Sequence, residues 1–85
     1  MAEVTVYYKS WCPYCRRAFA LLDRKGVPYE KVDVESAPER EEEMVRRSGG
    51  VATVPQVFVG DRHVGGSDDL HALDDDGRLD ALLGI

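Results

Sequence analysis

The 85-residue sequence predicts an α/β fold in which a mixed four-stranded sheet carries helices on both of its faces. Two observations predict this fold. A strand–helix–strand pattern occupies the N-terminal part of the chain, and a short glycine turn joins two strand-like segments in the C-terminal part. The first pattern makes a parallel pair of strands through a right-handed crossover, whereas a tight turn makes an antiparallel pair. The sheet is therefore expected to contain both kinds of pairing.

The strand–helix–strand unit is defined by its residue types and its breakers. Val4–Tyr8 is a run of β-branched and aromatic residues, which is typical of a strand. A helix is predicted to start at Pro13, because the first helical turn does not need the N–H that proline lacks, and to end at Gly26. Apolar and charged residues alternate over residues 29–34, which predicts the second strand.

A second helix is predicted to follow, with Ser36 and Glu39 forming a capping box at its start and Gly49 at its end. It carries few strongly apolar residues, so we expect it to lie on the surface.

The C-terminal part reads as a hairpin followed by helix. Gln56–Val59 is a strand-like run, and a Gly-Asp turn at residues 60–61 leads into a short strand around His63. Ser67 is predicted to cap a last helical region that Gly77 interrupts.

Composition narrows the classes of function. A chain of this length is expected to form one domain, residues 1–85. Its net charge of −5 at pH 7 argues against a nucleic-acid partner, since phosphate binding needs a basic face. Met1, Ala2 and Glu3 lack the basic residues that begin a signal peptide, and the apolar run Val4–Tyr8 is too short for the core of a signal peptide or for a membrane span. We therefore expect no membrane partner and a cytoplasmic location, where thiols stay reduced.

Cys12 and Cys15 are the residues with the clearest chemical signal. They lie where the first strand passes into the first helix, and the free N–H groups and dipole of a helix start stabilise a thiolate. Cys12 is thus the predicted nucleophile, and Cys15, one turn later, is spaced to attack a mixed disulfide formed on Cys12. The alternatives are two packed structural cysteines or half of a zinc site shared across a dimer. His63 and His71 do not complete a zinc-binding spacing, so no metal is expected.

Three segments together resemble the signature segments of dithiol glutaredoxins, and of the small bacterial glutaredoxin 3 class in particular. They are residues 8–15 (YKSWCPYC), 53–58 (TVPQVF) and 65–70 (GGSDDL). The resemblance implies a thioredoxin-like fold and a glutathione-dependent thiol–disulfide oxidoreductase. It also implies a reversible Cys12–Cys15 disulfide, glutathione as co-substrate, disulfide-bonded or glutathionylated proteins as partners, and a monomer.

The same resemblance assigns further residues to a glutathione site. They are Lys9, Tyr14, Thr53, Val54, Pro55, Gly66, Ser67 and Asp68. It implies a cis peptide bond before Pro55, a backbone pairing of Val54 with the cysteine of glutathione, and a γ-glutamyl carboxylate held at the glycine turn. Asp68 would lie near the ammonium group of glutathione, and Lys9 would pair with its glycyl carboxylate. Taken alone, these segments also fit a strand-start proline, an ordinary helix cap and a solvated surface lysine.

One position departs from the family pattern. Many glutaredoxins have Arg or Gln directly before the Thr-Val-Pro segment, where this chain has Val51 and Ala52. We expect weaker glutathione binding, or a larger role for Lys9. Arg16 and Arg17 add positive charge near the cysteines, although they also fit simple surface charge.

Two other functions remain open on the sequence. One is a redoxin that receives electrons from thioredoxin reductase, and the other is a carrier of a [2Fe–2S] cluster held between two subunits. The glutathione-site segments disfavour the first. Pro13 disfavours the second, because within the family this proline accompanies redox activity.

Overall fold

The computed structural model describes residues 3–85 and contains a four-stranded mixed sheet in the order β2-β1-β3-β4. The strands are β1 (Val4–Tyr8), β2 (Glu30–Asp33), β3 (Gln56–Val59) and β4 (Arg62–Gly65). β1 pairs with β2 in parallel, and the β1–β3 and β3–β4 pairs are antiparallel. The predicted mixed sheet is confirmed. Met1 and Ala2, on which the expectation of no leader partly rests, lie outside the described residues.

Four helices connect and follow the strands. They are α1 (Pro13–Arg24), α2 (Pro38–Arg47), α3 (Ser67–Asp75) and α4 (Leu79–Leu83). The break between α3 and α4 falls at Gly77, which has a φ of +74° and was predicted to interrupt this region. Between residues 3 and 85, no helix has the length and apolar character needed to cross a bilayer.

The helices cover both faces of the sheet, as predicted. On one face, β1 and β3 pack against α1, α3 and α4 in the larger of two cores; its members include Val6, Leu22, Val57, Leu70 and Leu79. On the other face, α2 contributes the fully buried Met44 to a smaller core with Tyr7 and Phe58. The rings of Tyr7 and Phe58 meet edge to face, with 5.5 Å between their centroids. β1 is thus buried on both sides, and its C-terminal end delivers the chain to the start of α1.

The predicted capping box at the start of α2 is wrong. The N-terminal cap is Ala37, and Pro38 is the first helical residue. Ser36 belongs to a turn after β2 instead, because both its N–H (3.2 Å) and its hydroxyl (2.9 Å) donate to the carboxylate of Asp33. Because Asp33 accepts the hydrogen bonds of Ser36 within the turn, Ser36 does not cap the helix. The helix begins at Pro38 instead.

The predicted cap of the last helical region is displaced by one residue. The cap position is Gly66, and Ser67 is the first residue of α3. The carboxylate of Asp69 accepts the Gly66 N–H at 3.0 Å, so the acidic residue of the first turn makes the capping contact.

Candidate active site

Cys12 lies at the start of α1, in the position that caps the helix. Its backbone is extended (φ −84°, ψ 116°), and Pro13 follows as the first helical residue. The Cys12 N–H donates to the carbonyl of Lys9 at 3.2 Å, which folds the connection from β1 into a tight turn. The Cys12 thiol is 3.7 Å from the Val54 carbonyl oxygen that accepts its hydrogen bond. The sulfur at the start of α1 therefore lies against the backbone before β3, and 4% of the residue is exposed.

Cys15 lies one helical turn further on and is 1% exposed. Burial is the main cause that raises the pKa of Cys15 to about 12, and a hydrogen bond to Cys12 acts in the same direction. The backbone amide of Lys9 is also hydrogen-bonded to this sulfur and partly opposes the shift. Both cysteines are free thiols. At neutral pH Cys15 is thus held as the neutral thiol, which leaves Cys12 as the thiol placed to attack first.

The segment before β3 closes the other side of the site. The peptide bond between Val54 and Pro55 is cis, as the resemblance implied. Val54 lies against Cys12 through its carbonyl group. Gln56, the first residue of β3, donates its side-chain amide to the carbonyl of Thr53 at 2.9 Å, which braces the turn that carries the cis bond.

A cleft of about 290 Å³ opens next to the cysteines. The predicted glutathione-site residues that line it are Tyr14, Thr53, Pro55, Gly66, Ser67 and Asp68. Tyr14 stands between the two cysteines in sequence and is half exposed, so it links the cysteine segment to the cleft. Lys9 and Val54 are the predicted glutathione-site residues that do not line the cleft, and Cys12 and Cys15 do not line it either. Val54 contacts Cys12 directly, and Lys9 pairs with Glu41 of α2.

The far wall of the cleft is the start of α3. Gly65 has a φ of +118°, and Gly66 caps the helix with the help of Asp69. Ser67 and Asp68 stand in the first turn, where backbone N–H groups have no partner within the helix. Such a helix start favours a carboxylate group of a ligand, because its N–H groups and its dipole both attract negative charge.

Several cleft residues were not among those assigned to the glutathione site from the sequence. They are Val51, Gln56, His63, Gly65 and Asp69. His63 was expected in a short strand and not as a metal ligand. Its ring is tilted by 32° against that of Phe58, with 4.9 Å between the ring centroids, and it is hydrogen-bonded to Gln56. The hairpin was the only feature of the sequence that could have indicated this contact, because Phe58 and His63 are partners in the β3–β4 register. His71 lies on α3 and bonds to the carbonyl of Ser67.

Three charged or aromatic side chains near the cleft, those of Lys9, Trp11 and Arg17, each contact another side chain. The Lys9 ammonium is 3.5 Å from a carboxylate oxygen of Glu41. The indole N–H of Trp11 donates to Glu35 at 3.0 Å, although the side chain remains 63% exposed. Arg17 lies 5.9 Å from the ring of Tyr14. No lysine or arginine is among the described residues that line the cleft.

Across residues 3–85, no cluster of three or more His, Cys, Asp or Glu side chains is placed to hold a metal ion.

Comparison with known proteins gives the site a family. A family model described as Glutaredoxin matches residues 4–64. Glutaredoxin 3 of Escherichia coli (strain K12) is 51% identical over 83 residues, which are 98% of this chain and 99% of that protein. The solution structure of glutaredoxin from Brucella melitensis is 52% identical with a TM-score of 0.84, covering 98% of this chain and 89% of that one. The crystal structure of a buckwheat glutaredoxin–glutathione complex is 29% identical with a TM-score of 0.88, covering 98% and 77%. The identity predicted from the three segments is confirmed: the chain belongs to the glutaredoxin family and has the fold and role of a thiol–disulfide oxidoreductase.

Proposed function

We propose that this protein is a glutathione-dependent oxidoreductase that reduces glutathione mixed disulfides and protein disulfides through Cys12 and Cys15. In this proposal it acts as a single-domain monomer in the cytoplasm. The observation that carries it is the placement of Cys12 at the start of α1, against the Val54 carbonyl, with the cleft lined by most of the predicted glutathione residues beside it.

The first reaction needs only Cys12. Its thiolate attacks the glutathione sulfur of a mixed disulfide, the substrate's S–S bond breaks, and the substrate leaves as a thiolate that takes up a proton. Cys12 now carries glutathione in a mixed disulfide. The thiolate of a second glutathione attacks the sulfur of the bound glutathione, forms glutathione disulfide and restores the Cys12 thiolate. The net reaction exchanges one disulfide for another: the substrate's mixed disulfide becomes a substrate thiol, and one free glutathione joins the glutathionyl group from the substrate as glutathione disulfide.

Reduction of a protein disulfide uses both cysteines. After Cys12 has formed a mixed disulfide with the partner, the Cys15 thiol loses its proton and attacks the Cys12 sulfur. The partner leaves as a thiol, and an internal Cys12–Cys15 disulfide remains. Burial raises the pKa of Cys15, so this sulfur does not compete with Cys12 for the first attack. Two glutathione molecules then reduce the internal disulfide through the Cys12 mixed disulfide.

The cleft supplies groups that match the shape of glutathione. The backbone of Val54 lies next to the Cys12 sulfur, where it would pair with the cysteinyl residue of glutathione as an added strand once the thiol reacts. The start of α3 suits the γ-glutamyl carboxylate, and Asp68 suits its ammonium group. The similar buckwheat protein was crystallised as a glutathione complex, which supports the same use of this cleft.

The direct test is a coupled assay with a glutathionylated peptide, glutathione, glutathione reductase and NADPH. We expect the wild-type protein to consume NADPH, Cys12→Ser to fall to the uncatalysed rate, and Cys15→Ser to keep the activity. Circular dichroism of both variants serves as the folding control. Activity in Cys12→Ser would contradict the assignment of the nucleophile. If the wild type is inactive with glutathione but turns over with thioredoxin reductase and NADPH, its electron donor is thioredoxin reductase and the proposed role of glutathione is wrong.

A further inference from the structure

The cleft is poor in positive charge, although glutathione carries two carboxylates. Asp68 and Asp69 line it, and no lysine or arginine is among the described residues around it. The position before the Thr-Val-Pro segment, occupied by Arg or Gln in many relatives, is Ala52. A cation for the glycyl carboxylate must therefore come from outside the cleft. Lys9 is the candidate in the active-site turn, because its backbone carbonyl accepts the Cys12 N–H and its backbone amide is hydrogen-bonded to the Cys15 sulfur.

Lys9 already has a carboxylate partner. Its ammonium is 3.5 Å from Glu41, which stands in the first turn of α2. The side chains are 26% and 40% exposed, so both ends of the pair can be reached from solvent. Arg40, next to Glu41 in α2, pairs with Glu30 and Glu43, and Arg17 lies over the ring of Tyr14.

We propose that Glu41 limits the affinity of this enzyme for glutathione by competing with the glycyl carboxylate for Lys9. The inference rests on the proposed function, since it deepens the description of the same site. In the free enzyme Glu41 occupies the ammonium of Lys9, and binding of the tripeptide replaces one carboxylate by the other. Glu41 is thus a specificity-determining residue that does not touch the reacting sulfurs.

The size of the effect follows from the exposure of the pair. Partly exposed ion pairs are weak, so we expect the competition from Glu41 to raise the Kd for glutathione by a factor of about two to five. Salt screens charges that are in contact with solvent, so the difference should shrink as ionic strength rises. A structural role of Glu41 in α2 would not depend on whether the ligand carries a glycyl carboxylate.

The test compares Glu41→Gln with Glu42→Gln. The two substitutions remove the same charge from adjacent positions of α2, and Glu42 is exposed. S-methylglutathione serves as the probe because it cannot exchange disulfides, and binding is followed by calorimetry. We expect Glu41→Gln to lower the Kd about two- to fivefold and Glu42→Gln to leave it unchanged. In the coupled assay Glu41→Gln should lower the KM for glutathione at unchanged kcat.

A second probe tests the carboxylate directly. With S-methylglutathione amidated at the glycyl carboxylate, Glu41→Gln and wild type should bind equally, and the same equality is expected with the acid probe in a Lys9→Gln background. An equal Kd for wild type and Glu41→Gln, an equal gain in Glu42→Gln, or a gain that persists with the amide would each overturn the inference. Failure of the wild type to bind S-methylglutathione and to turn over with glutathione would instead overturn the proposed function.

Discussion

The two thiols of the Cys-Pro-Tyr-Cys segment lie one helical turn apart, yet their surroundings differ. Cys12 caps α1 beside the Val54 carbonyl, whereas Cys15 points into the protein and is 1% exposed. The burial that raises the pKa of Cys15 to about 12 favours the neutral thiol in the folded state. It stabilises the reduced protein below the unfolded pKa of about 8.5, and this contribution is lost as the pH rises toward the folded value.

This difference predicts how Cys15 reacts with iodoacetamide in the Cys12→Ser protein. Because the thiolate is the reactive form, the alkylation rate should rise about tenfold per pH unit between pH 7 and pH 10, without levelling off. Cys15→Ser is the matched protein in which Cys12 alone reacts, and it should be alkylated much faster at pH 7. A rate for Cys15 that levels off below pH 10 would show that burial does not hold the proton, provided that circular dichroism shows a folded protein.

A second prediction for single residues concerns Ala52, which is exposed beside the cleft residues Val51 and Thr53. Ala52→Arg adds a cation near the expected glycyl carboxylate, so we expect the KM for glutathione to fall about two- to fivefold. Ala52→Met adds similar length without charge and is the control. Equal KM values for Ala52→Arg and Ala52→Met would show that charge at this position does not limit glutathione binding.

Among the secondary-structure elements, the start of α3 depends on a glycine that has no substitute. Gly65 has a φ of +118°, and a Cβ atom placed on it would lie 2.3 Å from the Asp69 carboxylate oxygen. That same carboxylate caps Gly66. A side chain at position 65 would therefore disturb the backbone, the cap and the cleft wall together.

Gly65→Ala should lower the free energy of unfolding by about 2–4 kcal/mol, from backbone strain and the lost cap. Gly60→Ala is the matched control. Gly60 also has a positive φ, of +60°, but a Cβ atom placed on it would have no neighbouring atom within 4 Å, so only about 1–2 kcal/mol should be lost. Urea denaturation measures both. Equal losses in the two variants would exclude the Asp69 contact as the cause.

The elements themselves were largely predictable from the sequence, while their caps were not. Pro13 and Gly26 mark the ends of α1 because proline and glycine restrict or free the backbone wherever they stand. Ser36 fits a capping pattern equally well in a helix and in a turn. Asp33 favours the turn, because its carboxylate accepts hydrogen bonds from both the N–H and the hydroxyl of Ser36.

In the molecule as a whole, α2 is held on its face of the sheet by one buried apolar side chain and by hydrogen bonds to the Tyr7 hydroxyl. Met44 is fully buried against Tyr7 and Phe58. The Tyr7 hydroxyl is hydrogen-bonded to Glu43 and accepts a hydrogen bond from Arg47 at 2.7 Å. Burial is the main cause that raises the pKa of Tyr7, and Glu43 adds to it. α2 therefore stabilises the end of β1 that leads to Cys12.

Met44→Ala should lower the free energy of unfolding by about 2–5 kcal/mol, because it removes packed atoms and leaves a cavity against the sheet. Arg46→Ala, at an exposed position of the same helix, should change it by less than about 0.5 kcal/mol. Chemical denaturation of the reduced proteins gives both values. A loss below about 1 kcal/mol for Met44→Ala would mean that α2 is anchored mainly by its polar contacts.

The candidate site was predictable where its chemistry is local in sequence and unpredictable where it depends on register. The cysteine pair and the glycine turn each indicate their chemistry within a few residues. His63 and Gln56 reach the cleft because the hairpin pairs β3 with β4 in one particular register, and Lys9 meets Glu41 because α2 packs across β1. Neither juxtaposition can be inferred from the neighbouring residues.

Cys12 is the sulfur that we expect to carry glutathione during turnover, and the rest of the proposed mechanism depends on it. The decisive experiment treats reduced Cys15→Ser with glutathione disulfide and locates the adduct by mass spectrometry of proteolytic peptides. We expect one glutathionyl group on the peptide that contains Cys12, removed again by added glutathione. An unmodified Cys12 under these conditions would contradict the assignment.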